Sequence, residues 1–245
     1  MKKEQKQAII ESGKQYFRSI IIPNHLKNLD KLHLSSFDLN PFFINYVTTL
    51  IEEDSQFIGL AKALVYPYIF DRVIDESGGP AVRSFVPKLQ EFTSGASGFE
   101  GIDFEFVDAI DGCRKYCQFK AGVKTIVTDD IATILSHFKP LISQPNLELQ
   151  FEDLVVGVLY GEKVDLSAYY KSIDTHYPVL CGSDFWLHLT GDKNFYNRLL
   201  KAMGEVLDEG NFEGSDLIHD SIEEIAEEIR QYVMGYSDFP LNNVI

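Results

Sequence analysis

Cysteine, positive charge and long apolar runs are all scarce in this chain. Its three cysteines, Cys113, Cys117 and Cys181, are odd in number and too few for a disulfide framework, which suits a reducing compartment. No stretch approaches the roughly 20 apolar residues that cross a bilayer. The opening residues, Met1-Lys2-Lys3-Glu4-Gln5-Lys6-Gln7, are polar and lack the apolar core of a secretory leader. A cytoplasmic location is therefore expected. No G-x-x-x-x-G-K-[ST] loop is present, which argues against nucleotide-driven chemistry. His25, His33, His137, His176, His188 and His219 form neither H-E-x-x-H nor a triad pattern, and each reads as structural or exposed. Cys113 and Cys117 have no second pair at zinc spacing and read as buried thiols. Against 37 acidic residues stand 22 Lys and Arg, a net charge of −15. That total counts against a nucleic-acid partner, whose affinity rests on cations meeting phosphates. The charge is uneven, however. The stretch from Glu205 to Glu228 is strongly acidic, with Glu223-Glu224 and Glu227-Glu228 in one run, and a basic groove elsewhere is compatible with it.

What the chain does have is apolar content. At 45 % hydrophobic and 13 % aromatic, 245 residues suffice for one large domain or a core with a helical annex. Ile9, Ile10, Tyr16, Phe17, Ile20 and Ile21 recur at helical spacing, and Pro23-Asn24 ends that helix. A short helix carries Leu26, Leu29 and Leu32. Another opens at Asn40-Pro41 and runs through Phe42, Phe43, Tyr46 and Leu50. A fourth spans about Gln56 to Ile74, kinked at Pro67. Ser77-Gly78-Gly79-Pro80 reads as a break, followed by a helix to about Phe92 and a flexible loop from Thr93 to Gly98. Two strand-like segments, Gly101 to Ala109 and Cys113 to Ala121, flank Asp111-Gly112, a strong hairpin signal. Thr128-Asp129-Asp130 caps a helix to about Ile142. Asp153 to Tyr160 is nearly all apolar, as a strand buried on both faces should be. A helix with Tyr169 and Tyr170, a short strand from Pro178 to Cys181, and two helices from Asn194 to about Met234 complete the order. The class is α/β, a mixed sheet flanked by helices. Its segments are a helical region over 1–76, a core over 77–193 and C-terminal helices over 194–245.

The hairpin carries the chemistry. If Asp111-Gly112 is a two-residue turn, Ile102 faces Ala121, Phe104 faces Phe119 and Phe106 faces Cys117, all apolar pairs. Asp103 then faces Lys120 and Glu105 faces Gln118, all four on one face. Carboxylates, an amide and an ammonium within a few ångströms suit phosphodiester hydrolysis. A hard divalent cation neutralises the scissile phosphate and acidifies a water, and Mg²⁺ needs only one or two protein carboxylates. Asp103 is the first ligand candidate, and the Gln118 carbonyl oxygen is the second. Lys120 orients the attacking water or stabilises developing charge, and Glu105 is a further ligand or a supporting partner. Opposed charges on a half-exposed strand pair are also ordinary sheet design, worth little by themselves.

The same residues carry a resemblance. G-I-D-F-E-F, a turn, then Y-C-Q-F-K-A-G resembles the active-site hairpin of PD-(D/E)XK nucleases, an Asp on one strand and acid-x-Lys on the next. N-P-F-F at Asn40 to Phe43, L-A-K-A-L-V-Y-P at Leu60 to Pro67, G-V-L-Y-G-E at Gly157 to Glu162 and F-W-L-H-L-T-G-D at Phe185 to Asp192 are similar to the PmeII-like type II restriction endonucleases. The resemblance implies a restriction-endonuclease-like core and Mg²⁺-dependent cutting of both strands of duplex DNA at a short sequence, leaving 5′-phosphates. It also implies Mn²⁺ as a substitute, a homodimer, and a companion methyltransferase in the same restriction-modification system. Asp103 then matches the metal-binding Asp and Lys120 the catalytic Lys. Gln118 departs from the pattern, which has Asp or Glu there. That opens the second acidic position to Glu105 or to Glu91. Arg83, Lys88, Lys124, Thr125 and Asn194 are candidate DNA contacts beside a solvated-surface reading. Two rivals remain: a repair or recombination nuclease that reads DNA structure, and a DNA-binding protein that has lost catalysis.

Overall fold

A computed structural model describes residues 1–23, 29, 31–37, 40, 46, 56–206 and 214–235, with side chains left undescribed at 56, 70–84, 214–215 and 234–235. The expected helix from Asn40 through Leu50 therefore lies outside the described residues except at Asn40 and Tyr46, as do Leu26 and His25. Contacts group the chain into two units, one of residues 1–19 and 76–209, the other of 20–75 and 210–245.

The first unit holds the sheet. Helix α1 (Lys3–Tyr16) passes into a π-helical turn at Phe17–Ile21. Helix α2 runs unbroken from Gln56 to Phe92, through the expected break at Ser77-Gly78-Gly79-Pro80. The reason is that a proline removes one helical hydrogen bond and crowds one carbonyl. That bends a long helix without ending it where the flanking turns hold. Strands β1 (Phe104–Val107) and β2 (Arg114–Gly122) form an antiparallel pair. Helix α3 (Thr128–Ile142) leads to β3 (Leu154–Tyr160), and α4 (Ala168–Asp174) leads to β4 (Val179–Cys181). Then follow α5 (Ser183–Thr190) and α6 (Phe195–Glu205). Val127, one residue before the expected cap at Thr128, holds the capping position of α3, and the Asp130 carboxylate accepts its N–H at 2.8 Å.

The sheet order is β1-β2-β3-β4, with β2, β3 and β4 mutually parallel. The expected mixed α/β fold is what the chain adopts. Central position explains the composition of β3: Leu154 to Val158 are all buried, and a strand covered on both faces cannot alternate polar residues. On one face Tyr116, Val156, Val158 and Val179 pack with Ile134, Phe138 and Leu141 of α3 and Tyr170 and Ile173 of α4. On the other, Phe106 and Phe119 meet Phe185 of α5, and Phe104 meets Phe119, through ring contacts 5.1–6.5 Å apart.

The β1–β2 connection corrects the expected register. Phe104 pairs with Cys117, Glu105 with Tyr116, Phe106 with Lys115 and Val107 with Arg114, two residues away from a tight Asp111-Gly112 turn. The loop is longer because Asp108 shapes it. Its N–H donates to the Cys113 carbonyl at 2.9 Å, and its Oδ1 accepts the Ile110 N–H at 2.8 Å. Gly112 closes the loop at φ 77° and donates to the Asp108 carbonyl. Asp111-Gly112 thus supplies the positive φ, at Gly112, of a six-residue connection from Asp108 to Cys113. Cys113 sits in this loop and is exposed, against the expected burial, whereas Cys117 and Cys181 are buried.

In the second unit Leu29, Leu32, Leu60 and Val65 pack against Ile222, Ile225 and Ile229 of α7 (Gly214–Gly235). Residues 210–245 carry eight acids and one arginine, so this unit holds −7 of the −15 in that segment alone. No described helix is long and apolar enough to cross a membrane.

Close packing of the phenylalanine face can be tested at Gly157. A Cβ there would stand 2.6 Å from the Phe185 ring and 2.8 Å from Cys117 Sγ. Gly157→Ala is expected to destabilise the fold by about 1–3 kcal/mol, the cost of overpacking a dense core. Chemical denaturation reads this, and a change within experimental error would mean that this face is looser than described.

Candidate active site

Asp103 precedes β1, and its N–H donates to the Cys117 carbonyl at 2.9 Å. Extending the observed register by one residue puts it across from Gln118, diagonal to Lys120. The two-residue slip leaves the side-chain parity unchanged. Asp103, Glu105, Gln118 and Lys120 therefore still share one face, but the pairing of Asp103 with Lys120 and of Glu105 with Gln118 is replaced. The Asp103 carboxylate is anchored: Oδ2 accepts the Phe119 N–H at 2.6 Å. Among the described residues Oδ1 receives no hydrogen bond from the protein. Burial pushes this carboxyl above its ordinary range, opposed by the Phe119 N–H and by the positive fields of Lys120 and His137. Lys120, half-buried, forms no ion pair among the described residues.

Gln118 is buried, and its Nε2 donates to the Ile134 carbonyl of α3 at 3.2 Å. That bond leaves Oε1 as the acceptor end of the amide. Glu105 is occupied on both oxygens, by Ser97 Oγ at 2.8 Å and by Arg114 at 3.0 Å. Glu91 lies on the last turn of α2 and pairs with Lys88 at 3.0 Å, both half exposed. Among the described residues no three His, Cys, Asp or Glu side chains converge to hold an ion. The donors at hand are one carboxylate with a free oxygen, an amide oxygen and backbone carbonyls. This hard set fits Mg²⁺, which keeps several of its waters.

The remaining sequence candidates scatter. Lys124 is exposed in the loop after β2. Thr125 is exposed, with its Oγ1 donating to the Gly122 carbonyl at 2.8 Å and lying 3.3 Å from the Tyr170 hydroxyl. Asn194 caps α6 and is exposed. The Arg83 side chain lies outside the described residues.

The sequence profile of a family described as Type II restriction endonuclease EcoO109I matches residues 81–211. Those residues are more than half of the 245 and contain the whole sheet with the Asp103 hairpin. The chain belongs to this family. No curated protein matches it. Membership in the EcoO109I-type restriction endonucleases makes the chain a nuclease, a hydrolase whose substrate is DNA. It also sets the Asp103 hairpin within a restriction-endonuclease-like fold.

Two neighbours of Asp103 in this restriction-endonuclease domain were not singled out from sequence as site residues. Gln90 on α2 donates from Nε2 to the Asp103 carbonyl at 2.6 Å, tying the helix end to the strand start. His137 on α3 acts electrostatically on Asp103, and its Nδ1 is buried without a hydrogen-bond partner. The ring leaves no room for a side chain at Gly101, whose φ is 74°. No local pattern marks either residue, since each reaches Asp103 only through the packing of a helix on the sheet. A third arrangement, also unmarked in sequence, ties the hairpin loop to α5. There His188 Nδ1 lies 2.7 Å from the buried Asp108 carboxylate, and the Ala109 N–H donates to the His188 carbonyl at 2.8 Å.

The loop after β2 leans on Tyr170, fully buried, whose hydroxyl is pushed up to about 12 by desolvation. An unfolded tyrosine ionises near 10. Its contribution to stability is therefore complete below about pH 10 and is lost as pH rises through the interval up to about 12. Tyr170→Phe is expected to flatten the loss of stability across that alkaline interval, while weakening the fold slightly at neutral pH through the lost Thr125 contact. Denaturation midpoints at neutral and alkaline pH check this; equal alkaline slopes in both proteins would contradict it.

Proposed function

We propose that this chain is a site-specific type II restriction endonuclease. It uses Mg²⁺, with Mn²⁺ as a substitute, to cut both strands of duplex DNA at a short sequence. The observation that carries the reading is the shared face of Asp103 and Lys120, with the carboxylate pinned to β2 and the ammonium in no ion pair among the described residues. The segments G-V-L-Y-G-E and F-W-L-H-L-T-G-D resemble the PmeII-like branch of the restriction enzymes and support reading the chain as one of them. A homodimer acting on a two-fold duplex site, and a methyltransferase protecting the host DNA, belong to the same reading.

In this mechanism Asp103 Oδ1 and the Gln118 amide oxygen, or a nearby backbone carbonyl, would hold the cation. When bound, the cation neutralises phosphate charge and lowers the pKa of a water. Lys120 orients the attacking water and stabilises the charge that builds on the phosphate oxygens. Phe119 favours the charged form of Asp103 and aims its carboxylate by donating its N–H. Water attacks phosphorus, the 3′-oxygen departs, and the phosphate stays on the 5′ end. Gln118 is the observation behind the second reading, a DNA-binding protein without cleavage, since a neutral amide holds a cation less firmly than a carboxylate.

Incubating the protein with a large phage DNA and Mg²⁺, then sequencing the ends, decides between these readings. Discrete fragments with 5′-phosphates are expected; a smear, or cutting of branched DNA alone, would favour a structure-directed repair nuclease. Lys120→Ala and Asp103→Asn are each expected to lower the cleavage rate by at least about a hundredfold while leaving DNA binding intact. Cleavage that appears only in Gln118→Glu would establish the non-cutting reading instead.

A further inference from the structure

Tyr160 lies at the carboxyl ends of β2 and β3, outside the Asp103–Lys120 chemistry. Gly122 pairs with Tyr160 in parallel register. A Cβ on Gly122 would stand 2.6 Å from Tyr160 Cζ and 2.7 Å from its hydroxyl. The phenol ring thus lies across β2 where a side chain would otherwise project. Gly122 is two residues beyond Lys120 and so shares its face, which puts the ring about 7 Å further along the site face. Tyr160 is 38 % exposed. Its hydroxyl forms no hydrogen bond with the protein among the described residues. The neighbouring phenols differ: Tyr170 meets Thr125 at 3.3 Å, and Tyr196 accepts the Gly161 N–H at 3.4 Å. Lys120 and Lys124 flank Gly122 along the chain, and among the described residues neither is paired with a carboxylate. In a chain of net charge −15, an open hydroxyl over the strand segment that carries Lys120 and leads to Lys124, neither of them in an ion pair among the described residues, is a surface suited to a phosphate.

We propose that Tyr160 is a substrate-contacting residue whose phenol donates a hydrogen bond to a backbone phosphate of the DNA lying over Asp103 and Lys120. Position 122 is glycine so that the ring can lie there. The inference rests on reading the Asp103–Lys120 face as the nuclease centre. A phosphate contact positions the duplex without reading its sequence, so its loss weakens binding to any duplex.

The test compares the full-length protein with Tyr160→Phe, Gly122→Ala, the double variant and Lys120→Ala. Binding is measured by fluorescence anisotropy on a short mixed-sequence duplex, and cleavage on phage DNA with Mg²⁺. Tyr160→Phe keeps the ring and loses only the hydroxyl. It is expected to weaken binding and raise KM about ten- to a hundredfold, the range for a hydrogen bond to a charged group, with kcat and the thermal midpoint unchanged. Gly122→Ala, which displaces the ring, is expected to show a similar binding loss, and the double variant no more than either single one. Wild-type binding and cleavage by Tyr160→Phe, alongside an inactive Lys120→Ala, overturns the assignment of Tyr160 alone. A lowered melting temperature in Tyr160→Phe makes the hydroxyl structural and also overturns it. Full cleavage by Lys120→Ala overturns the nuclease reading of this face, and this inference with it.

Discussion

The hydrogen bond from the Phe119 N–H to the Asp103 carboxylate, 2.6 Å long, is the constraint around which the rest of the site is arranged. It joins a side chain from the start of β1 to the backbone of β2. The carboxylate therefore moves with the strand that carries Gln118 and Lys120. Burial alone would leave Asp103 protonated more readily than an exposed acid, and the N–H and the Lys120 ammonium oppose that tendency. The outcome is an anchored carboxyl group with one oxygen open, on the same face as an ammonium that forms no ion pair among the described residues.

That geometry depends in turn on the central strand. β3 brings no charged side chain to the site. Its contribution is a row of buried aliphatic residues, Leu154 to Val158, which fixes β2 on one side and β4 on the other through parallel pairing. α3 is then held against one face by Ile134 and Phe138. The Gln118 amide is held by Ile134 and the His137 ring stands beside Asp103, because both helix residues lie on the turns of α3 that meet β2. On the opposite face Phe106 and Phe119 pack on Phe185, and Phe104 on Phe119, with Lys115 buried beside Phe106 and paired with Asp111 and Asp153. The sheet thus has a mainly aromatic face that stabilises it and a face that carries Asp103, Gln118 and Lys120. Acidic total charge is compatible with a DNA substrate because a large part of it, −7, falls in residues 210–245 of the second unit.

The hairpin shows how far local pattern carries. Alternation of Phe104 and Phe106 against Asp103 and Glu105 is a property of sequence alone, and so is that of Cys117 and Phe119 against Gln118 and Lys120. A slip of two residues preserves it. The sharing of one face was legible for that reason, although the expected pairing was wrong. The pairing itself depended on the loop, and the loop on Asp108, whose buried carboxylate meets His188 eighty residues away. Likewise the Ser77-Gly78-Gly79-Pro80 segment has the composition of a turn but continues a helix, since propensity is a weak preference that context overrides.

By itself the sequence determined the α/β class, the buried central strand and the hairpin that bears Asp103, Gln118 and Lys120. It also determined the ordered segments that resemble restriction enzymes. These follow from periodicity and residue type, which act over a few neighbouring positions. Only the tertiary structure decided the register, the occupation of Glu105 by Ser97 and Arg114, and the approach of Gln90 and His137 to Asp103. It also decided the place of Tyr160 over Gly122. Each of those joins groups far apart along the chain or across strands. Such contacts are chosen by the packing of whole elements, for which no local pattern carries a code.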